Sequence, residues 1–141
     1  MQTRFSSIDF RNAMGRFATG VTVVTTVGEF GVHCMTANAF VSVSLSPPLV
    51  LISVDKNAHT HGYIQAAKRF GVNILREEQR NLSDRFAGKS TAASEPELTY
   101  RWHEDIPLLS DCLSQTACRL WASYDGGDHT LYLGKVEAIQ I

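Results

Sequence analysis

The sequence is short of cysteine, and its three thiols, Cys34, Cys112 and Cys118, are an odd number without disulfide-framework or zinc-cluster spacing. Cross-links are therefore not expected to hold the chain together, and free thiols suit a reducing, cytoplasmic setting. A charge excess is also missing. Thirteen Lys and Arg stand against fourteen Asp and Glu, a formal net charge of -1, which gives no overall field for gathering nucleic acid or an anionic membrane. No apolar run is long enough to cross a bilayer: Phe30 to Val54 carries no charged residue, but Asn38, Ser42, Ser44, Ser46, Ser53 and Pro47-Pro48 interrupt it. The first residues, MQTRFSSIDF, lack the apolar run of a signal peptide.

Several chemical signatures are absent too. There is no GxSxG and no cysteine–histidine signature, so nucleophilic hydrolysis has no support. No GxGxxG follows a strand, and GRFATG (15–20), which has the glycine spacing of a Walker loop, is followed by Val21 where a lysine is required. The histidines, His33, His59, His61, His103 and His129, have no carboxylate or cysteine at metal-ligand spacing, and DGGDH (125–129) lacks the repeating ligands of a calcium loop. No metal is expected. With 141 residues and no repeat or low-complexity tract, residues 1–141 read as one domain. A chain of that length buries roughly two-thirds of its unfolded surface.

What is present is a distinctive alternation. In MTANAFVSVSLS (35–46) the odd positions are all apolar, and the even ones are Thr36, Asn38, Phe40, Ser42, Ser44 and Ser46. Period two is a strand pattern, and it predicts one continuous strand with one apolar face. The other face carries neutral hydrogen-bonding groups where a solvent-facing strand would carry charges. One reading is a Ser/Thr-rich solvent face. The other is a pocket wall for a polar planar ligand, in which Asn38 offers donor and acceptor together. Ser42, Ser44, Lys56 and Thr60 could cradle a phosphate, and His129 is either exposed beyond a hairpin turn or held at a pocket mouth.

Around this stretch the chain predicts a short-helix, mainly β layout. Phe10, Ala13, Met14 and Phe17 give an amphipathic opening helix, capped by Ser6 or Ser7 and stopped at Gly20. VTVVTT (21–26) is a strand turning at residues 28–31 into the next one, which Pro47-Pro48 ends. LVLISV (49–54) is a strand covered on both sides. Helices over 60–68, with Thr60 as cap, and 77–87, with Leu82 and Phe86 a turn apart, flank a strand at 69–75. Lys89 to Glu97 reads as a surface loop, and Trp102 is expected in the core. From Leu113 two long strands meet at Asp125-Gly126-Gly127-Asp128, a hairpin turn. Six or seven strands without strict βαβ alternation argue for a mainly antiparallel barrel.

Five segments in order, FRNAMGRFATGVTVVTT, MTANAFVSVSLSPPLVLISVD, HTHGYIQAAKRFGVNIL, LSDRFAG and GDHTLYLGKVEAI, resemble the short-chain flavin reductase family, from about Phe10 onward. These are NAD(P)H-dependent reductase components of two-component flavin monooxygenases. The resemblance implies a split β-barrel of the FMN-binding, flavin reductase-like type, a homodimer, and FMN, FAD or riboflavin as cofactor or diffusible substrate. It implies that Thr36, Ala37 and Asn38 contact the isoalloxazine ring, and that Ser42 and Ser44 reach the ribityl chain or phosphate. Lys56 and Thr60 would help hold the phosphate, and Phe86 would pack near the flavin tail. His129, in the GDH segment, would sit where NADH or NADPH approaches. Hydride then passes directly to the flavin, which needs orientation rather than a strong acid or base. A flavin-binding electron carrier or sensor that does not turn over NAD(P)H is the alternative. Val32-His33-Cys34 and Val41 depart from the family pattern.

Overall fold

The computed structural model describes residues 1–89 and 97–141, so the loop expected from Lys89 to Glu97 lies, apart from its two ends, outside the described residues. The first helix, α1, runs Ser7–Met14. Its start is a capping box: Asp9 N donates to Ser6 Oγ at 3.2 Å while Ser6 N donates to Asp9 Oδ2 at 2.8 Å. It ends at Gly15 rather than Gly20 and buries no residue, leaving Phe10, Met14 and, beyond its end, Phe17 exposed.

β1 (Thr22–Gly28) pairs antiparallel with β2 (Gly31–Ala37) across a turn in which Gly31 takes φ 104°, a conformation that favours glycine. β3 (Phe40–Leu45) forms a hairpin with β4 (Pro48–Asp55). The alternating stretch 35–46 is thus two strands, not one. α2 (His59–Ala67) leads into β5 (Arg69–Ile74). A 3-10 turn (Glu77–Gln79) precedes α3 (Arg80–Phe86), which is closed by Gly88 at φ 72°. β6 (Tyr100–His103) and β7 (Ile106–Leu109) form a two-stranded hairpin that the sequence reading did not foresee. β8 (Ser114–Gly126) and β9 (His129–Gln140) are the long final hairpin, turning at Gly127 as expected.

Seven strands form one sheet in the order β2-β1-β5-β8-β9-β4-β3. Its two edges, β2 and β3, are consecutive in the chain and separated only by Asn38 and Ala39. Three peptide steps of 3.8 Å hold Ala37 and Phe40 within about 11 Å. The sheet must therefore curl until its edges nearly meet, which makes a barrel that its hydrogen bonds leave split. The same corner inverts the alternation. Met35 and Ala37 pack inward, and after the corner it is Phe40 that packs inward, while Val41, Val43 and Leu45 are exposed.

The barrel interior is filled by Val24, Val50, Ile52, Val54, Phe70, Val72, Cys118 and Tyr132, with Ile64 of α2 packed among them. A second cluster outside β1 joins Val23, Leu109 and Cys112 to Leu82 and Phe86 of α3 and to Tyr100. β1 is consequently buried on both faces, which suits its run of β-branched residues. Asn73, fully buried, ties the layers together: Nδ2 donates to Val23 O and Thr25 Oγ1, and Oδ1 accepts from Leu109 N. Trp102 is half exposed on the β6–β7 hairpin, not in the core, because a hairpin backed by the sheet on one side shows its other side to solvent.

Candidate functional site

The corner that splits the barrel also opens a cleft of about 240 Å³. Met35, Thr36 and Ala37 reach it from the end of β2, Asn38 and Ala39 from the bridge, Ser53 and Asp55 from the end of β4, and His129 from the start of β9. Pairing sets the far wall: Asp55 lies opposite His129 in the β4–β9 ladder, and Ser53 N donates to Ala39 O at 3.2 Å. Four of the residues singled out in the sequence, Thr36, Ala37, Asn38 and His129, therefore meet here. Ser53 and Asp55 were missed. Ser53 was the one polar residue in the apolar run 49–54, which is the signal that could have marked it.

The hydrogen bonds decide which groups are available. Thr36 Oγ1 donates to Ser83 O of α3 at 2.7 Å, so its hydroxyl proton is engaged and its lone pairs remain. Asn38 is exposed, and its side-chain amide makes no hydrogen bond among the described residues. The His129 ring bonds Asp128 Oδ1 through Nδ1 at 2.7 Å, which orients the ring and leaves Nε2 for a ligand. That hydrogen bond, with the charges of His129 and Lys56, holds the Asp128 carboxyl below its ordinary range.

The remaining predicted residues stand elsewhere. Ser42 lies opposite Val50 on β3, three positions along β4 from Ser53, about 10 Å at strand spacing, and Ser44 is further still. The hairpin carries both away from the corner. Thr60 does not cap α2, whose first flanking residue is Ala58; it is buried, and its Oγ1 is bonded to His33 Nε2 at 2.9 Å. Lys56 is paired with Asp125 across the β8–β9 turn, next to the cleft rim but directed at that carboxylate. Phe86 packs in the second hydrophobic cluster with Leu82.

Two other cavities flank the cleft. One, of about 100 Å³, shares Asn38 and continues past Gly20, Thr22 and Phe40. The other, about 460 Å³, lies along Val21, Leu75, Arg76, Gln79, Arg80 and Ser83, against the residue that Thr36 bonds. Its cations, Arg76 and Arg80, were not foreseen; of these Arg76 is held by Asp111 at 2.7 Å. His103, Glu104 and Glu137 bring possible metal-ligand atoms within 4.8 Å of one another. Arg119 sits between these carboxylates, 2.9 Å from Glu104 and 3.3 Å from Glu137, and neutralises them.

Comparison with known proteins places this arrangement. The chain is 46% identical over 136 residues to an NADH-dependent flavin reductase of Rhodococcus sp, covering 94% of this chain and 76% of that one. It is 39% identical over 137 residues to a Thermus thermophilus protein, the reductase component of 4-hydroxyphenylacetate 3-monooxygenase, covering 94% and 83%. Among solved structures, flavin reductase PheA2 in its native state superposes with a TM-score of 0.91 at 44% identity, covering 97% of this chain and 88% of that one. The flavin reductase like domain matches residues 14–141, and with the split barrel and its corner cleft this establishes that the chain belongs to the flavin reductase family.

Proposed function

We propose that this chain is an NADH-dependent flavin reductase that hands reduced flavin to a separate flavin-dependent monooxygenase. The observation that carries the reading is the corner cleft, which gathers Thr36, Ala37, Asn38 and His129 from distant parts of the chain. Its donor set fits a flavin ring. The polar edge of an isoalloxazine alternates acceptors with one N–H, and the Asn38 amide, the Thr36 and Ser53 oxygens and the backbone of residues 37–39 offer neutral partners of both kinds. When bound, the flavin supplies the hydride acceptor. The chain's own residues orient: Thr36, Ala37 and Asn38 would hold the ring, and His129, fixed by Asp128, would meet the nicotinamide.

A homodimer accompanies this reading. α1 buries nothing within its own chain, yet presents Ile8, Phe10 and Met14 to solvent with Phe5 and Phe17 beside it, and β3 adds Val41, Val43 and Leu45. Apolar surface of this kind is what a second copy covers. A cytoplasmic location fits the three free cysteines. Among the described residues no helix is long and apolar enough to cross a membrane.

The test is to strip the purified protein, add back FMN, FAD or riboflavin, and follow aerobic loss of NADH and NADPH absorbance. Flavin-dependent turnover supports the reductase. Flavin binding without nicotinamide consumption would make the chain a carrier or sensor. His129→Ala is expected to raise the KM for NADH at least tenfold while flavin affinity is kept, a loss of roughly 1.4 kcal/mol of nicotinamide binding. Unchanged turnover in that variant removes His129 from the site.

A further inference from the structure

The cleft contains one charged group that orientation alone does not require. Asp55 lines the same cavity as His129 and faces it across the β4–β9 ladder. Of its immediate neighbours, Lys56 is paired with Asp125, and His129 is hydrogen-bonded through Nδ1 to Asp128. The Asp55 carboxylate has no cation partner among the described residues. Oδ1 accepts from Asn57 N at 2.8 Å, which holds the group at the strand end on the cleft wall and leaves Oδ2 without a hydrogen bond among the described residues.

Hydride transfer changes charge at this place. A hydride, one proton with two electrons, leaves the nicotinamide ring and goes to the flavin. The ring is oxidised from a neutral dihydropyridine to a cationic pyridinium as the flavin is reduced, and no other proton moves. A fixed carboxylate beside the ring is stabilised by that change only as the positive charge appears. We infer that Asp55 is a catalytic residue of the nicotinamide side, favouring the cationic ring over the neutral one. This rests on the assignment of the nicotinamide to the cleft wall at His129. A neutral residue at position 55 would bind the reduced nucleotide as well and the oxidised one worse.

The discriminating measurement is equilibrium binding rather than turnover. The full chain is loaded anaerobically with photoreduced FMN, to which neither nucleotide passes a hydride, and titrated separately with NADH and NAD+ in a calorimeter. Wild type, Asp55→Asn and His129→Ala are compared. Asparagine keeps an acceptor for the Asn57 amide, so the turn is preserved. A charge pair at about 6 Å, screened because Asp55 is exposed, corresponds to roughly a fivefold change in affinity. Asp55→Asn is therefore expected to weaken NAD+ about fivefold and leave NADH within about twofold, with the NAD+ loss shrinking at high salt. Equal effects on both nucleotides, or an effect on neither, would overturn the electrostatic role. His129→Ala separates the two levels of the argument. If it weakens NADH while Asp55→Asn spares NAD+, the proposal fails and the site stands; if neither variant changes either affinity, the site assignment has failed with it.

Discussion

Asn73→Ala is the substitution whose consequence the structure lets one work out most fully. Asn73 is completely buried near the end of β5 and makes three hydrogen bonds, to Val23 O at 2.8 Å, to Thr25 Oγ1 at 3.1 Å and from Leu109 N at 2.8 Å. The amide thereby joins β1 to the β6–β7 hairpin. Each bond contributes about 1 kcal/mol net, and truncation leaves the Leu109 N–H buried without a partner together with a small void. The sum is about 3–5 kcal/mol, a large share of the 5–15 kcal/mol typical of a domain. At roughly 3 °C per kcal/mol for a chain of this size, Tm should fall by about 10–15 °C. Thermal and urea unfolding at fixed protein and flavin concentration measure this, since ligand and partner both shift apparent stability. Asn73→Leu fills the volume without the polar contacts and should be nearly as unstable. If Asn73→Leu matches wild type, or Asn73→Ala loses less than about 1 kcal/mol, the polar tie is not what holds the hairpin.

Other outcomes follow from the same contacts. Gly71→Ala should cost about 1–3 kcal/mol in urea unfolding, because a Cβ there meets Thr25 Oγ1, Leu108 Cδ2 at 2.6 Å and the backbone Pro107 O at 2.7 Å, and the last cannot move aside; a neutral effect would mean the hairpin is loosely packed. Burial pushes the Cys34 and Cys112 thiols up to about 11 and Cys118 to about 12, from an ordinary 9.0. The unfolded chain therefore loses these protons first, so stability is intact below about pH 9 and declines as pH rises through the folded values. Replacing Cys118 by Ala should flatten that alkaline limb in pH-dependent unfolding, and an unchanged slope would assign the decline to other groups. Phe10→Glu with Met14→Glu should convert a dimer to a single-chain mass in light scattering with the circular dichroism unchanged; a wild type that already has the single-chain mass would place α1 outside any self-association.

The cleft residues show how differently local and distant information behave. Thr36 and Asn38 stood out because neutral polar side chains occupied a charge-free strand, Ala37 only through the family resemblance of the segment around it, and His129 because it followed a glycine turn beside an acid. Both signals are local. That these residues share a cavity follows from the sheet order, which sets β9 beside β4 and brings the end of β4 to the bridge at Ala39. Ser53 and Asp55 enter by the same pairing, with only their positions at the end of an apolar strand to announce them. Thr60 was misplaced for the converse reason: a threonine near a helix start suggests a cap, but α2 begins one residue earlier and turns that hydroxyl inward to His33.

By itself, the sequence determined what short-range physics can determine. Period-two alternation and β-branched runs made the chain mainly β, glycine and proline placed the breaks at residues 28–31, 47–48 and 125–128, and a serine at 6 or 7 marked the start of α1. Only the tertiary structure decided the rest. Whether residues 35–46 were one strand or two depended on the barrel's curvature, which demands a corner at Asn38-Ala39 and turns Phe40 inward and Val41 outward after it. The β6–β7 hairpin is short, and it is fixed by Asn73 and Thr25 rather than by its own four-residue strands. The cleft exists because two edges of one sheet approach without hydrogen-bonding, a relation between residues far apart in the chain that no local pattern encodes.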